Sequence, residues 1–223
     1  MLFDALGTLV HLDDPAGGLA RQLAARGAAV SEPDAMQALV AEMTYYRTHC
    51  DEARDEAALA DLHDRCAAVL QEALPSPARE LAFAEVRAAL LQGLTFSAFD
   101  DAEPTLRALR EAGCALAVVS NWDVSLHGVL RDTGLGAHVD AVLTSAEERV
   151  AKPDPEIFTR ALERLGGISP DEALHVGDDV ASDARGAQAA GVPVVLVDRG
   201  GLTGVPDGVG VVSSLSELVP ARR

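Results

Sequence analysis

The spacing of apolar positions changes character twice along the chain. Residues 1–10, MLFDALGTLV, form a short apolar run that ends in a glycine-containing turn, and they predict a strand. From about Pro15 to Leu94 the text is rich in Ala, Leu, Glu, Gln and Arg, with no run of β-branched residues. That stretch predicts nearly continuous helix, in four pieces near 17–26, 32–49, 54–73 and 77–92. Ser31-Glu32-Pro33-Asp34 reads as a helix start, with a serine cap, proline in the first turn and an acid three residues on. Pro75-Ser76-Pro77 reads as the break between the last two helices. From about residue 96 short apolar runs alternate with helical text. Cys114–Val119, Ala141–Thr144, Ala173–Gly177 and Pro193–Val197 predict strands, and Val211–Val212 a last one. Pro104–Ala112, Val124–Asp132, Asp154–Leu165 and Ala181–Ala190 predict helices between them. Arg199 to Gly208 reads as a flexible surface loop.

Short strands alternating with helices imply an α/β fold, a Rossmann-like core with a parallel sheet. The pattern implies that residues 1–14 and 95–223 form this core and that residues 15–94 are an inserted helical-bundle cap. The insertion follows the first strand closely, so it is expected over the carboxyl edge of the sheet, where a lid excludes water. Ligands of such sheets sit past the carboxyl ends of the strands.

The charge changes the picture more than the size does. Of 223 residues, 48% are hydrophobic and 24% charged, enough for a full core. Thirty-five acidic against 18 basic residues give a net charge of −17, which argues against nucleic acid and against an anionic membrane surface. Seventeen of the basic residues are arginine and one is lysine, Lys152. With the abundant Ala and Gly, that bias is what a GC-rich genome produces, so the position of the one lysine carries the information. Three cysteines without a C-x-x-C spacing argue against a disulfide framework or a zinc site. Cys50 and Cys66 are expected as buried thiols. No apolar run approaches a membrane span of about 18 residues. A reducing cytoplasm is the expected compartment, and the oligomeric state is open. Only three residues precede Asp4, so the first strand is short or the natural start lies upstream of this numbering.

The polar residues at the predicted strand ends are chemically specific. The first strand presents Asp4, Gly7 and Thr8, and the second Ser120 and Asn121. The loop after the third leads to Lys152, and the fourth presents Asp178 and Asp179, with Asp183 one turn on. Like charges raise one another's pKa, so four carboxylates in one crevice call for a cation. A hard divalent ion with oxygen ligands, Mg²⁺, suits them. Metal and ammonium together would hold an anionic group, and Asp4 stands where a nucleophile would.

The ordered set Asp4-Ala5-Leu6-Gly7-Thr8, Ser120-Asn121, Lys152-Pro153 and Gly177-Asp178-Asp179 with Asp183 resembles the haloacid dehalogenase superfamily of hydrolases. Ser120-Asn121-Trp122-Asp123 and His175-Val176-Gly177-Asp178 look closest to its rhythmically-expressed-gene-like members. The resemblance spans the core, and the insertion matches the helical cap of one branch. It implies Mg²⁺-dependent hydrolysis of a small phosphorylated, anionic metabolite through an aspartyl intermediate on Asp4. Lys152 would neutralise charge, and Thr8, Ser120 and Asn121 would position the transferred group. The metal would be held by Asp4, the Leu6 carbonyl and Asp178, with Asp179 and Asp183 acting nearer its waters.

Leu6 departs from the pattern, because phosphatases of this family carry a second aspartate there as general acid and base. Leu6 therefore leaves open a dehalogenase-like hydrolase acting at carbon, or a non-catalytic ligand-binding or interaction protein. The absence of lysine between residues 15 and 94 excludes the Schiff-base branch. Arg47 is a candidate reader of substrate charge beside Tyr45, Tyr46 and His49. His11 is expected as a hinge hydrogen-bonder, and Trp122 as a substrate wall or a docking side chain.

Overall fold

The computed structural model describes residues 1–219. Its strands are β1 (Leu2–Phe3), β2 (Val10–Asp13), β3 (Thr95–Ala98), β4 (Ala117–Ser120), β5 (Ala141–Thr144), β6 (His175–Gly177), β7 (Val194–Val197) and β8 (Gly210–Val212). Its helices are α1 (Pro15–Ala24), α2 (Glu32–His49), α3 (Glu56–Ala73), α4 (Phe83–Gly93), α5 (Ala102–Glu111), α6 (Leu126–Asp132), α7 (Ser145–Glu148), α8 (Pro155–Arg164) and α9 (Arg185–Ala189). The chain divides into two compact units. One is Met1–His11 with the chain from Ala98 onward, and the other is Leu12–Ser97.

The first unit is built on a parallel sheet in the order β5-β4-β1-β6-β7-β8. This is the α/β, Rossmann-like architecture expected from the alternating text. Leu2, Phe3, Ala117, Val118 and Val119 are fully buried, because the central strands are covered on both faces. The chain builds outward from β1 through β4 to β5, then returns to the other side of β1 at β6. The order therefore reverses between β1 and β6, and a crevice opens at their carboxyl ends.

The second unit is a helical bundle around Leu19, Leu23, Leu39, Leu62, Leu70, Leu74 and Leu90. Ser31 Oγ accepts the Asp34 amide at 3.3 Å, as its spacing predicts, and Asp55 caps α3 through Ala58 N at 2.9 Å. The helix expected from residue 77 begins instead at Phe83, after a 3-10 turn at Ala78–Glu80. Side chains hold that turn against local propensity. Gln71 Nε2 donates to the carbonyls of Arg79 (3.0 Å) and Leu81 (2.8 Å), and Arg79 Nε donates to that of Leu74 (2.7 Å). Cys50 and Cys66 are buried thiols outside any disulfide, as expected. Among the described residues no helix is long and apolar enough to cross a membrane.

Three features were not legible in the sequence. β2 and β3 form a two-stranded sheet. Neither is a run of apolar residues, and each becomes a strand only by pairing far along the chain. α7 is a single turn capped by Thr144 Oγ1, which accepts Glu147 N at 3.1 Å. The helix expected over 181–190 opens with a π turn at Val180–Ala184 before α9.

Glu42 is buried among the apolar side chains of the helical unit. Burial raises its pKa, and a hydrogen bond from the Cys66 thiol offsets this only in part. The folded state thus prefers the protonated acid. Its contribution to stability is complete below the ordinary glutamate pKa and is lost as pH rises through the raised one. Glu42→Gln is therefore expected to raise Tm at pH 8 by about 2–4 °C, the shift that ~1 kcal/mol produces in a chain of this size. The gain should vanish near pH 4, and thermal melts at the two pH values check it.

Candidate active site

The crevice between β1 and β6 gathers most of the residues singled out in the sequence. Asp4 directly follows β1, Ser120 ends β4, and Asp178 directly follows β6. Gly7 has φ +82°, and a Cβ there would lie 2.1 Å from Asp178 Oδ2. The first-motif loop can therefore close on Asp178 only with glycine at this position. Gly177 meets the same limit, since a Cβ would fall 2.2 Å from Asp183 Cγ.

Lys152 binds two carboxylates at once. Its Nζ donates to Asp4 Oδ1 and to Asp183 Oδ1, each at 2.6 Å, and its side chain is 2% exposed. Ser120 Oγ donates to the same Asp4 oxygen at 2.9 Å. Asp4 Oδ1 is thus fixed by two donors, while among the described residues no donor reaches Asp4 Oδ2 or the Asp178 carboxylate. Asp183 is fully engaged. Oδ1 accepts from Lys152 and from His175 Nε2 at 2.9 Å, and Oδ2 from the amides of Asp178 (3.2 Å) and Asp179 (3.1 Å).

The charges follow from this geometry. Burial would lower the Lys152 pKa, but the Asp183 and Asp4 carboxylates more than offset it and hold the ammonium charged. Burial likewise pushes Asp183 up, but Lys152 and His175 hold it well below the usual carboxylate range. Asp4 is raised, by burial first, against the pull of Lys152. Asp178 is pushed up to about 7 by burial and by the charges of Asp4 and Asp183. One ammonium does not balance three carboxylates.

That imbalance bears on metal binding. Carboxylate oxygens of Asp4, Asp178 and Asp183 lie within 4.8 Å of one another. They are hard donors, and two of the three residues have oxygens without a protein donor, so the set fits a small divalent cation. Asp183 has its acceptor positions taken by protein and suits a supporting place. Asp179 is exposed, and its Oδ1 caps the π turn, accepting Ser182 N at 2.6 Å and Ser182 Oγ at 2.9 Å.

The other residues singled out in the sequence take the following places. The Asn121 amide clamps the Lys152 backbone, donating to its carbonyl at 2.8 Å and accepting its N–H at 2.7 Å. Asn121 thus holds the lysine loop. Thr8 is fully buried, and among the described residues nothing pairs with its Oγ1. Leu6 is 36% exposed, a large apolar side chain open to solvent. Trp122 is buried, and its Nε1 donates to Ser125 Oγ at 3.1 Å. His11 packs on Phe99 with ring centroids 4.7 Å apart. Arg47 belongs to the helical unit, exposed on α2. Tyr45 serves that unit by stacking on His49 at 4.0 Å and accepting Arg65 Nη1 at 3.0 Å.

Two contributors carry little signal in the sequence. His175 opens β6 and stands in the His175-Val176-Gly177-Asp178 motif, but nothing in the sequence assigns it a contact. Arg199 opens a stretch whose glycines predict a flexible loop. Instead Asp198 Oδ1 gathers the amides of Gly200, Gly201 and Leu202 at 2.6–3.1 Å, ordering the turn. Arg199 then pairs with Asp101 at 2.8 Å, donates to the Thr8 carbonyl at 3.0 Å and stacks on Phe99. It braces the first-motif loop from outside.

A family model for haloacid dehalogenase-like hydrolases matches residues 1–191. Haloacid dehalogenase-like hydrolase domain-containing protein 3 of Homo sapiens is 47% identical over 103 residues, 46% of this chain and 41% of that protein. A phosphoserine phosphatase of Thermus thermophilus is 41% identical over 127 residues, 56% of this chain and 49% of that enzyme. The matched stretch thus spans less than half the length of each relative. A solved dehalogenase in an intermediate complex is 27% identical with a TM-score of 0.67, covering 97% of this chain and 93% of that one.

Proposed function

From the premise that this chain belongs to the haloacid dehalogenase-like hydrolases, we propose that it hydrolyses small phosphorylated molecules, with Asp4 as nucleophile. The observation that carries the proposal is the buried Lys152 ammonium, 2.6 Å from Asp4 beside a carboxylate cluster at the β1/β6 crevice. Ser120 and Lys152 hold Asp4 Oδ1, which leaves Oδ2 to attack the phosphoryl group. Lys152 screens the charge of the nucleophile as the transferring group approaches. Thr8 Oγ1, buried and without a partner, is a ready donor to the transferred group. Asp4, Asp178 and the Leu6 carbonyl would hold Mg²⁺, with Asp179 and Asp183 supporting it. A bound Mg²⁺ supplies Lewis-acid stabilisation of the phosphoryl oxygens. Arg47 is kept as a proposed reader of substrate charge.

Leu6 cannot donate a proton to the leaving oxygen. The proposal therefore favours substrates whose leaving group departs as a weak base. The same residue favours the second reading, a dehalogenase-like hydrolase in which halide leaves carbon without a proton. A non-catalytic binder is the third, but it gives no reason to bury Asp4 against the only lysine in the chain.

The test is turnover of a phosphomonoester and 2-haloacid panel, with Mg²⁺ and with chelator. Phosphate release from activated esters such as p-nitrophenyl phosphate is expected, with loss of that activity in chelator. Halide release that is indifferent to chelator would establish the second reading. No turnover of either class would leave the binder. Leu6→Asp is expected to raise turnover of phenyl phosphate, a poor leaving group, by about tenfold or more, since a general acid contributes ~10²–10⁴. A fall with the fold intact would mean that Leu6 is adapted to the native substrate.

A further inference from the structure

His175 is fully buried on β6, and its ring packs edge-on against Phe158 with centroids 4.9 Å apart. Packing alone does not explain a histidine at this position. Among the described residues nothing pairs with the buried Nδ1, and a leucine would fill the space without that cost. Among the described residues the ring's one polar interaction is Nε2 to Asp183 Oδ1 at 2.9 Å. The carboxylate can only accept, so Nε2 carries the hydrogen.

The oxygen that receives this bond also receives Lys152 Nζ at 2.6 Å. The other Asp183 oxygen is tied to two backbone amides of the loop after β6. Without His175, Oδ1 would be held only by the lysine it is supposed to place. With His175, the carboxylate plane is fixed from the strand side, independently of the lysine. A buried chain then runs from His175 through Asp183 and Lys152 to Asp4 Oδ1, with contacts of 2.9, 2.6 and 2.6 Å.

We propose that His175 is a positioning residue: by donating to Asp183 it sets where the Lys152 ammonium stands against the nucleophile. The inference deepens the phosphohydrolase reading and rests on it for the catalytic consequence. The placement of Lys152 is independent of that reading.

Lys152 is the only lysine, so lysine labelled with ¹³C at Cε produces one side-chain signal that reports on this ammonium alone. Three variants separate hydrogen bonding from packing. His175→Gln can present an amide N–H near the position of Nε2. His175→Asn carries its amide nearer Nδ1, out of reach of Asp183. His175→Leu has no donor. With p-nitrophenyl phosphate and Mg²⁺, the Leu and Asn variants are expected to lose about 10–100-fold in kcat with KM within about twofold, the size of a lost supporting contact. The Gln variant should stay within about threefold of the parent in kcat. The lysine signal should keep its shift in the Gln variant and move or broaden in the other two.

Equal impairment of all three variants would overturn the proposal and assign the ring to packing. An unmoved lysine signal with normal kcat in the Leu and Asn variants would overturn it as well. If the Leu variant fails to fold, the comparison of Gln with Asn decides the matter alone. If the parent turns over nothing, the phosphohydrolase reading fails, and the lysine signal still decides whether His175 places Lys152.

Discussion

Asp4→Asn is expected to lower kcat by about 10⁴-fold or more while the fold survives. The amide cannot attack phosphorus, and loss of an essential nucleophile leaves only the residual effect of binding and electrostatics. The fold should tolerate the change for a local reason. Burial already disfavours the Asp4 charge, and Lys152 keeps its contact with Asp183 at 2.6 Å when Asp4 becomes neutral. The amide oxygen can still accept from Ser120. Rapid-quench kinetics with p-nitrophenyl phosphate, read by intact mass, check the result. The parent should show an acid-stable adduct of one phosphoryl group, and the variant none. A variant that retains more than about a hundredth of the parent kcat would remove Asp4 from the role of nucleophile.

Substitution of Lys152 should damage both stability and rate. Lys152→Met removes the ammonium that compensates the buried carboxylates of Asp4 and Asp183. Breaking a buried ion pair in this way costs about 3–5 kcal/mol. The pH dependence gives the sign. Without the ammonium, the folded-state pKa values of both carboxylates rise, so the protonated forms relieve the defect. In chelator, the stability deficit of the variant should be largest at neutral pH. It should shrink as pH falls toward the ordinary carboxylate range near 4. Lys152→Arg keeps the charge but forces a planar fork into a space whose occupant is 2% exposed and bonded at two points. It is expected to retain more stability than Met and still lose about 10²–10³-fold in kcat, the cost of a misplaced electrostatic donor. An arginine variant at parental kcat would mean that only the charge matters, not its position.

The fold is legible in the sequence because its signals are local. The change of period near residues 15 and 96 separates helical from alternating text without any knowledge of contacts. The cap at Ser31 forms where its spacing predicts because its bond to Asp34 lies within one turn. The start of α4 departs from prediction because Gln71 reaches over from α3 to hold the carbonyls of the preceding turn, and Arg79 within that turn ties back to the Leu74 carbonyl. β2 and β3 carry no local signal because neither Val10–Asp13 nor Thr95–Ala98 is a run of apolar residues like β4, β5 or β7, and each pairs with a partner far along the chain.

The candidate site divides along the same line. The sequence by itself determined the donor set: Asp4, Ser120, Lys152, Asp178 and Asp183 carry its chemistry whatever their arrangement, and the rarity of lysine singles out Lys152 by composition alone. Which atom meets which was decided only in three dimensions. Asn121 reads as a ligand contact in one dimension and is a clamp on the Lys152 backbone in three. Asp183 reads as one more acid and is the hub joining Lys152, His175 and two amides. His175 reads as part of a motif with no contact assigned to it, and Arg199 as part of a loose loop. Residue type sets what a side chain can donate or accept. Whether its lone pairs are spent on the protein or left for a ligand depends on neighbours as far as 191 positions away, and such distances are closed only by the packing of the sheet.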